Sequence, residues 1–287
     1  MDGKITLRNG DCRIVVSPAG GAILSAECEG GQLLQPSITP GLASRVHGRE
    51  ACFPLVPFGN RVEGNSFSFE GRSCTFTPNT DDPFYLHGDG WLSQWEIREQ
   101  SESTATLAFQ REPDDHSPYR YDAEQTISLM PNGFSLSLRV TNRAAEPMPF
   151  GVGFHPYFPA GPDTTVSFSA QAVWSEREGH LPGDRQTLSP PLCFSPPSPV
   201  PDDFINSPFE AWAGHAVIRQ PDGTAIALAA SASLTWLQVY KPLGQAGFLC
   251  LEPMSHRANA FGGESGCRAL RPGQTLQGEI RVLLLRD

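Results

Sequence analysis

The sequence predicts an all-β protein: many short antiparallel strands stacked as one large sandwich. Three observations predict it. Phe134, Leu136, Leu138 and Val140 alternate with Ser135, Ser137, Arg139 and Thr141, and that period of two marks a sheet with one buried and one wet face. Glycine (28) and proline (27) make up about a fifth of the chain, a high share that suits tight turns and not helical bundles. No segment of useful length follows the helical period, and no repeat of fixed period occurs. With 287 residues the chain can bury a sizeable core, and residues 1–287 are read as one domain. That exceeds an immunoglobulin-like sandwich by more than about twofold, so broad sheets are expected.

The opening strands are placed at 4–8, 13–17 and 22–28, punctuated by Asn9-Gly10 and Gly20-Gly21. Asn-Gly between apolar segments is a hairpin signal. Residues 36–60 are less regular. Short strands at 66–69 and 73–76 turn at Glu70-Gly71, and a glycine-rich loop then carries His87. Strands resume at 94–98 and 104–111, and the clearest hairpin joins 123–130 to 134–142 through Pro131-Asn132-Gly133. Residues 175–210 hold eight prolines and are read as a long ordered excursion over the surface. Strands return at 216–219, 225–229, 234–240, 247–252 and 275–285.

Charge and cysteine usage narrow the function. The net charge of −10 argues against nucleic acid or an anionic membrane as partner. No apolar run is long enough to span a bilayer, and Met1-Asp2-Gly3-Lys4 is unlike a secretory leader. The seven cysteines are widely spaced without a Cys-x-x-Cys pair, so free thiols in a reducing cytoplasm are expected.

Two residues stand out as acid–base candidates. His155 lies in Val-Gly-Phe-His-Pro-Tyr-Phe, directly before a proline that forces extended geometry and ends a strand. Its imidazole is either a catalytic group or a satisfied sheet histidine. Glu252 closes Phe-Leu-Cys-Leu-Glu-Pro; burial there would raise its pKa toward the range of a general base. The alternative for Glu252 is structural pairing to an arginine. His87 and Arg61 are loop residues for which turn and surface roles are the plain readings. Other chemistries lack their motifs: the serine of Gly262-Gly263-Glu264-Ser265-Gly266 is one place late for a nucleophile elbow. Gly151-Val152-Gly153 does not continue into a phosphate loop, and the histidines lack metal-ligand spacing.

Several segments together resemble the aldose 1-epimerase (galactose mutarotase) family. They are Gly59-Asn60-Arg61-Val62, Leu86-His87-Gly88 with Trp91 and Trp95, and Gly153-Phe154-His155-Pro156-Tyr157-Phe158. Phe209-x-x-Trp212-x-Gly214 and Glu252-Pro253-Met254-Ser255-His256 with Asn259-Ala260-Phe261 complete the set. The resemblance implies an antiparallel β-supersandwich that interconverts α and β anomers of a hexose without cofactor or metal. It implies Glu252 as the base at the C1 hydroxyl, His155 as the acid at the ring oxygen, and His87 and Arg61 as sugar-binding groups. Trp91, Tyr157 or Trp212 would offer an apolar face to the ring. One departure is Asn206, which stands where relatives carry a hydroxyl-binding aspartate; Asp202 and Asp203 lie just upstream. Two alternatives accompany this reading. One is a hexose-6-phosphate or other anionic-sugar epimerase, drawing on Arg45, Arg49, Arg61, Arg72 or Arg257; the other is a non-catalytic sugar-binding protein. A small-molecule sugar is the expected partner, and a cytoplasmic monomer or homodimer the expected form.

Overall fold

The computed structural model describes residues 3–37, 50–244, 247–261 and 266–285. Apart from 3-10 turns at Glu63–Asn65, Gly90–Leu92 and Glu178–His180, the regular elements among them are strands. Both predicted hairpins form, with Asn9 and Gly133 drawn from the expected turns into the strands. Asn9 faces Cys12 across the first, with Gly10 in the left-handed region at φ 57°. Met130 faces Gly133 across the second.

Two broad sheets dominate. The nine-stranded one runs from Glu96–Gln100 through Thr104–Arg111, Tyr121–Met130, Gly133–Asn142 and Thr275–Leu285. It continues through Ala225–Ala230, His215–Arg219 and Thr165–Phe168 to Ser198–Pro199. The eight-stranded one runs in the order Leu181–Gln186, Ala172–Arg177, Ile205–Glu210, Trp236–Lys241, Phe248–Met254, Gly153–Phe154 and Pro54–Leu55. Tyr157–Pro159 also pairs with Phe248–Met254. A four-stranded sheet, Ile5–Asn9 to Gly31–Leu34, is built from the N-terminal segment.

One contiguous apolar core holds residues of both large sheets, among them Leu136, Leu138 and Ile280 from one and Phe209, Leu237 and Leu251 from the other. Full burial of each such side chain contributes about 1.5–3 kcal/mol. Alternation on the eight-stranded sheet then dictates what its other face carries. Leu249 and Leu251 enter the core, so Cys250, Glu252 and Met254 face away from it. By the same rule Leu237 and Val239 point inward and leave Trp236, Gln238 and Tyr240 outside, while Ile205 and Phe209 leave Asn206 outside. A smaller apolar cluster of Phe53, Leu55, Trp91, Trp236 and Met254 covers part of that outer face.

Two expectations are corrected. The tract 175–210 is not simply an excursion: it contains most of the hairpin Ala172–Arg177/Leu181–Gln186 and the strand Ile205–Glu210, all within the eight-stranded sheet. Leu181–Gln186 is an edge strand, where Pro182 and exposed polar residues are tolerated, so its sequence lacks apolar alternation. The cysteines are not all free thiols either. Cys12 and Cys28 face each other across neighbouring strands and form a disulfide, while Cys52, Cys74, Cys193, Cys250 and Cys267 are free. Among the described residues no helix is long and apolar enough to cross a membrane.

Candidate active site

A cleft of about 270 Å³ opens on the outer face of the eight-stranded sheet, and Arg61, His87, His155, Asn206 and Glu252 all line it. Tyr157 and Trp91 form part of its apolar wall. Trp212 does not reach it: that indole is buried in the main core and donates to the His215 carbonyl at 3.1 Å.

His155 follows the two-residue strand Gly153–Phe154, its N–H donating to the Phe53 carbonyl at 3.0 Å. The ring stacks on Tyr157, with centroids 4.8 Å apart, and leans on Phe53 at 4.5 Å. Its Nε2 stands 3.3 Å from Oε1 of Glu252. Burial disfavours charge on both partners. It pulls the His155 imidazole down to about 3. It also pushes the Glu252 carboxyl well above the ordinary carboxylate range, against the opposing pull of the Arg61 charge. Burial therefore favours the pair with one proton between its two members, as a neutral imidazole beside a neutral carboxyl. Nδ1 of His155 and Oε2 of Glu252 are buried without a hydrogen-bond partner among the described residues. Such groups cost about 1–3 kcal/mol each, which a hydroxylated ligand can recover.

Ligand atoms of His155, Cys250 and Glu252 all lie within 4.8 Å of one another, a grouping that the spacing of histidines along the chain does not reveal. Cys250 and Glu252 share a face because they are two residues apart on one strand. Burial holds the Cys250 thiol well above its ordinary pKa. As the thiolate is the metal ligand, this thiol is suited to packing.

His87 sits in the left-handed region at φ 58°. Its own N–H donates to the Asn60 carbonyl at 3.0 Å, and its Nδ1 accepts the Asn60 N–H at 3.1 Å. The hydrogen must then be on Nε2. Burial, together with His155 and Arg61, keeps the ring neutral, its pKa well below the usual imidazole value. His87 is thus a neutral donor. The loop behind it is pinned, since Asp89 and Gly90 both donate to the Val56 carbonyl, at 3.0 and 3.1 Å. Buried Asp89 accepts from the hydroxyls of Tyr85, Ser117 and Tyr121.

The guanidinium of Arg61 is already engaged: Nε and Nη2 reach Asp82 Oδ2 at 2.9 and 2.8 Å. Asn206 is fixed from two sides. Gln238 Nε2 donates to its Oδ1 at 2.7 Å, and its Nδ2 donates to Glu176 Oε1 at 2.8 Å. Asp202 lines a different cavity beside Lys241, and neither it nor Asp203 is part of the site cleft. Of the other arginines considered for an anionic sugar, Arg72 donates to the Pro147 carbonyl and Arg257 stacks over Trp174 at 3.9 Å. Arg45 and Arg49 lie outside the described residues.

The cleft also includes Phe53, His180, Phe204 and Tyr240, which motif reading passes over. Only Tyr240 carried a usable signal, its alternation with Val239 in a buried strand.

A family model described as aldose 1-epimerase matches residues 3–283. The uncharacterised protein YphB of Escherichia coli (strain K12) is 37% identical over 288 aligned positions, covering 96% of this chain and 97% of YphB. A crystal structure from Escherichia coli K12, provisionally assigned as an aldose 1-epimerase, superposes with a TM-score of 0.92 at 34% identity, covering 99% of each chain. A galactose mutarotase-like protein from Clostridium acetobutylicum shares the fold, with a TM-score of 0.86 at 17% identity, over 99% of this chain and 95% of the other.

Proposed function

The chain belongs to the aldose 1-epimerase family, and from that premise we propose that it is a mutarotase interconverting the α and β anomers of a neutral hexose. The observation that carries the reading is the 3.3 Å approach of His155 Nε2 to Glu252 Oε1 in a buried cleft. Opening a hemiacetal requires removal of the O1 proton and delivery of a proton to the ring oxygen. A pair holding one proton between its members can do both. The sugar O1–H donates to Glu252, which favours the carboxylate, as does the positive charge of Arg61. The shared proton then resides on His155, which passes it to O5 as the C1–O5 bond breaks while Glu252 takes the O1 proton. After rotation about C1–C2 the steps reverse, and the pair regains its starting protonation. His87, a neutral donor, supports the ring oxygen or a neighbouring hydroxyl through Nε2–H. Trp91 and Tyr157 keep bulk water from the open aldehyde.

Charge favours a neutral sugar over a phosphorylated one. Arg61 is the one arginine lining the cleft among the described residues, and Asp82 occupies its fork. The test is anomer exchange followed by NMR or polarimetry over neutral aldoses and their 6-phosphates. Acceleration of neutral sugars supports the reading; saturable binding without acceleration would mean a carbohydrate-binding protein.

A further inference from the structure

On the cleft wall away from Glu252 lies a group of side chains to which the reaction above gives no work. His180 occupies the tip of the hairpin Ala172–Arg177/Leu181–Gln186 in the left-handed region, at φ 58°. Such a backbone conformation is strained for a histidine, and strained residues cluster at functional sites. The ring is 55% exposed, yet its Nδ1 lies 2.6 Å from Glu176 Oε1. That same oxygen accepts from Asn206 Nδ2, and Asn206 Oδ1 accepts from Gln238 Nε2. Gln238 in turn faces Glu252 across neighbouring strands.

This chain of contacts runs across the sheet in strand order. Asn206 sits two strands from Glu252 and Glu176 three, about 10 and 14 Å at the backbone with strands about 4.8 Å apart. The wall lies across the cleft from His155 and Glu252, so a sugar held by that pair at C1 meets it only with substituents remote from C1. The hairpin carries a register shift between Trp174 and Glu176; bulges of this kind re-aim side chains and are common beside active sites. Phe204 flanks the His180 ring at 5.9 Å, and both line the cleft.

We propose that His180 is a specificity-determining residue that contacts the C4–C6 side of a neutral aldose, with Glu176 and Asn206 positioning it. Glu176 spends Oε1 on two donors, and its Oε2 has no partner among the described residues. The carboxylate therefore fixes the imidazole, leaves His180 Nε2 for a sugar hydroxyl, and repels a 6-phosphate. The inference rests on the sugar-site reading but concerns a different wall of the cleft.

The experiment compares wild type, His180→Ala, His180→Gln and Glu176→Gln on glucose, galactose, xylose and glucose 6-phosphate. Exchange kinetics and calorimetric binding are measured together. His180→Ala should raise KM for the preferred sugar by about 10-fold or more, with a much smaller change in kcat, and compress the ranking among sugars differing at C4 or C6. His180→Gln should restore part of the ranking. Glu176→Gln should raise the affinity for glucose 6-phosphate relative to glucose. An unchanged ranking in His180→Ala and Glu176→Gln, with wild-type thermal stability, would overturn the proposal while leaving the mutarotase reading intact. If wild type exchanges none of the sugars, that reading fails, and the ranking by binding alone decides the role of His180. No binding of any of the four overturns both.

Discussion

Nε2 of His155 and Oε1 of Glu252 stand 3.3 Å apart in a pocket that disfavours a charge on either group alone. Acting as a unit, the two should fail as a unit. His155→Ala and Glu252→Gln are each expected to slow anomer exchange by at least about 10²-fold. The double variant should be little worse than the slower single one, because effects within one catalytic unit are not additive. Saturation-transfer NMR on the three variants measures this; additive losses would show that the groups act independently.

The same burial predicts an unusual pH profile. The working form holds a single proton on the pair. It is lost in acid when the imidazole gains a second proton, and burial has moved that event down to about 3. It is lost in base when the shared proton leaves, and burial has moved that event well above the ordinary carboxylate range. Both shifts widen the plateau. The acid limb of kcat/KM should therefore lie near 3, and the basic limb above the ordinary carboxylate range. An acid-side break near 6.5, the ordinary histidine value, would indicate a solvent-exposed imidazole.

Much of this was legible in the sequence, and the limits have physical causes. His155 and Glu252 were visible because each titratable residue closes an apolar run, whereas His87 in its glycine-rich loop was marked only by the family resemblance. The broad sheets were visible through alternation in Gly133–Asn142 and Thr275–Leu285. Glu176 and His180 were hidden because their hairpin ends in an exposed edge strand with no apolar period, and because Glu176 meets Asn206 across 30 residues of chain. Trp212 shows the converse: an aromatic side chain serves a core or a sugar equally well, and only the face of the sheet decides. The Cys12–Cys28 disulfide followed from hairpin register, which cysteine spacing does not encode.

Gly88 should be irreplaceable in the loop that presents His87. It lies at φ 72°, and a Cβ there would stand 2.4 Å from the Val56 carbonyl oxygen and 2.6 Å from Pro57 Cδ. Neither neighbour is a flexible side-chain end. Gly88→Ala is expected to cost more than about 1 kcal/mol of stability and to displace His87. A drop in Tm together with slower exchange, with sugar present at saturation, is the expected result. A wild-type Tm would mean that the loop relaxes freely.

Asp82 should act as the guard on Arg61. Nε and Nη2 of the guanidinium both reach Asp82 Oδ2, so an incoming phosphate meets a cation already ion-paired, with a carboxylate beside it. Replacing Asp82 by alanine removes the competing charge and leaves the fork open toward the cleft, where Arg61 is a lining residue. Arginine forks match phosphate oxygens in pairs. Asp82→Ala is therefore expected to strengthen competition by glucose 6-phosphate about 10-fold, and added salt should weaken that gain through screening. The measurement is inhibition of neutral-sugar exchange by glucose 6-phosphate at two ionic strengths. Wild-type protein that already binds the phosphate as tightly as the free sugar would show that Asp82 does not hold Arg61 back.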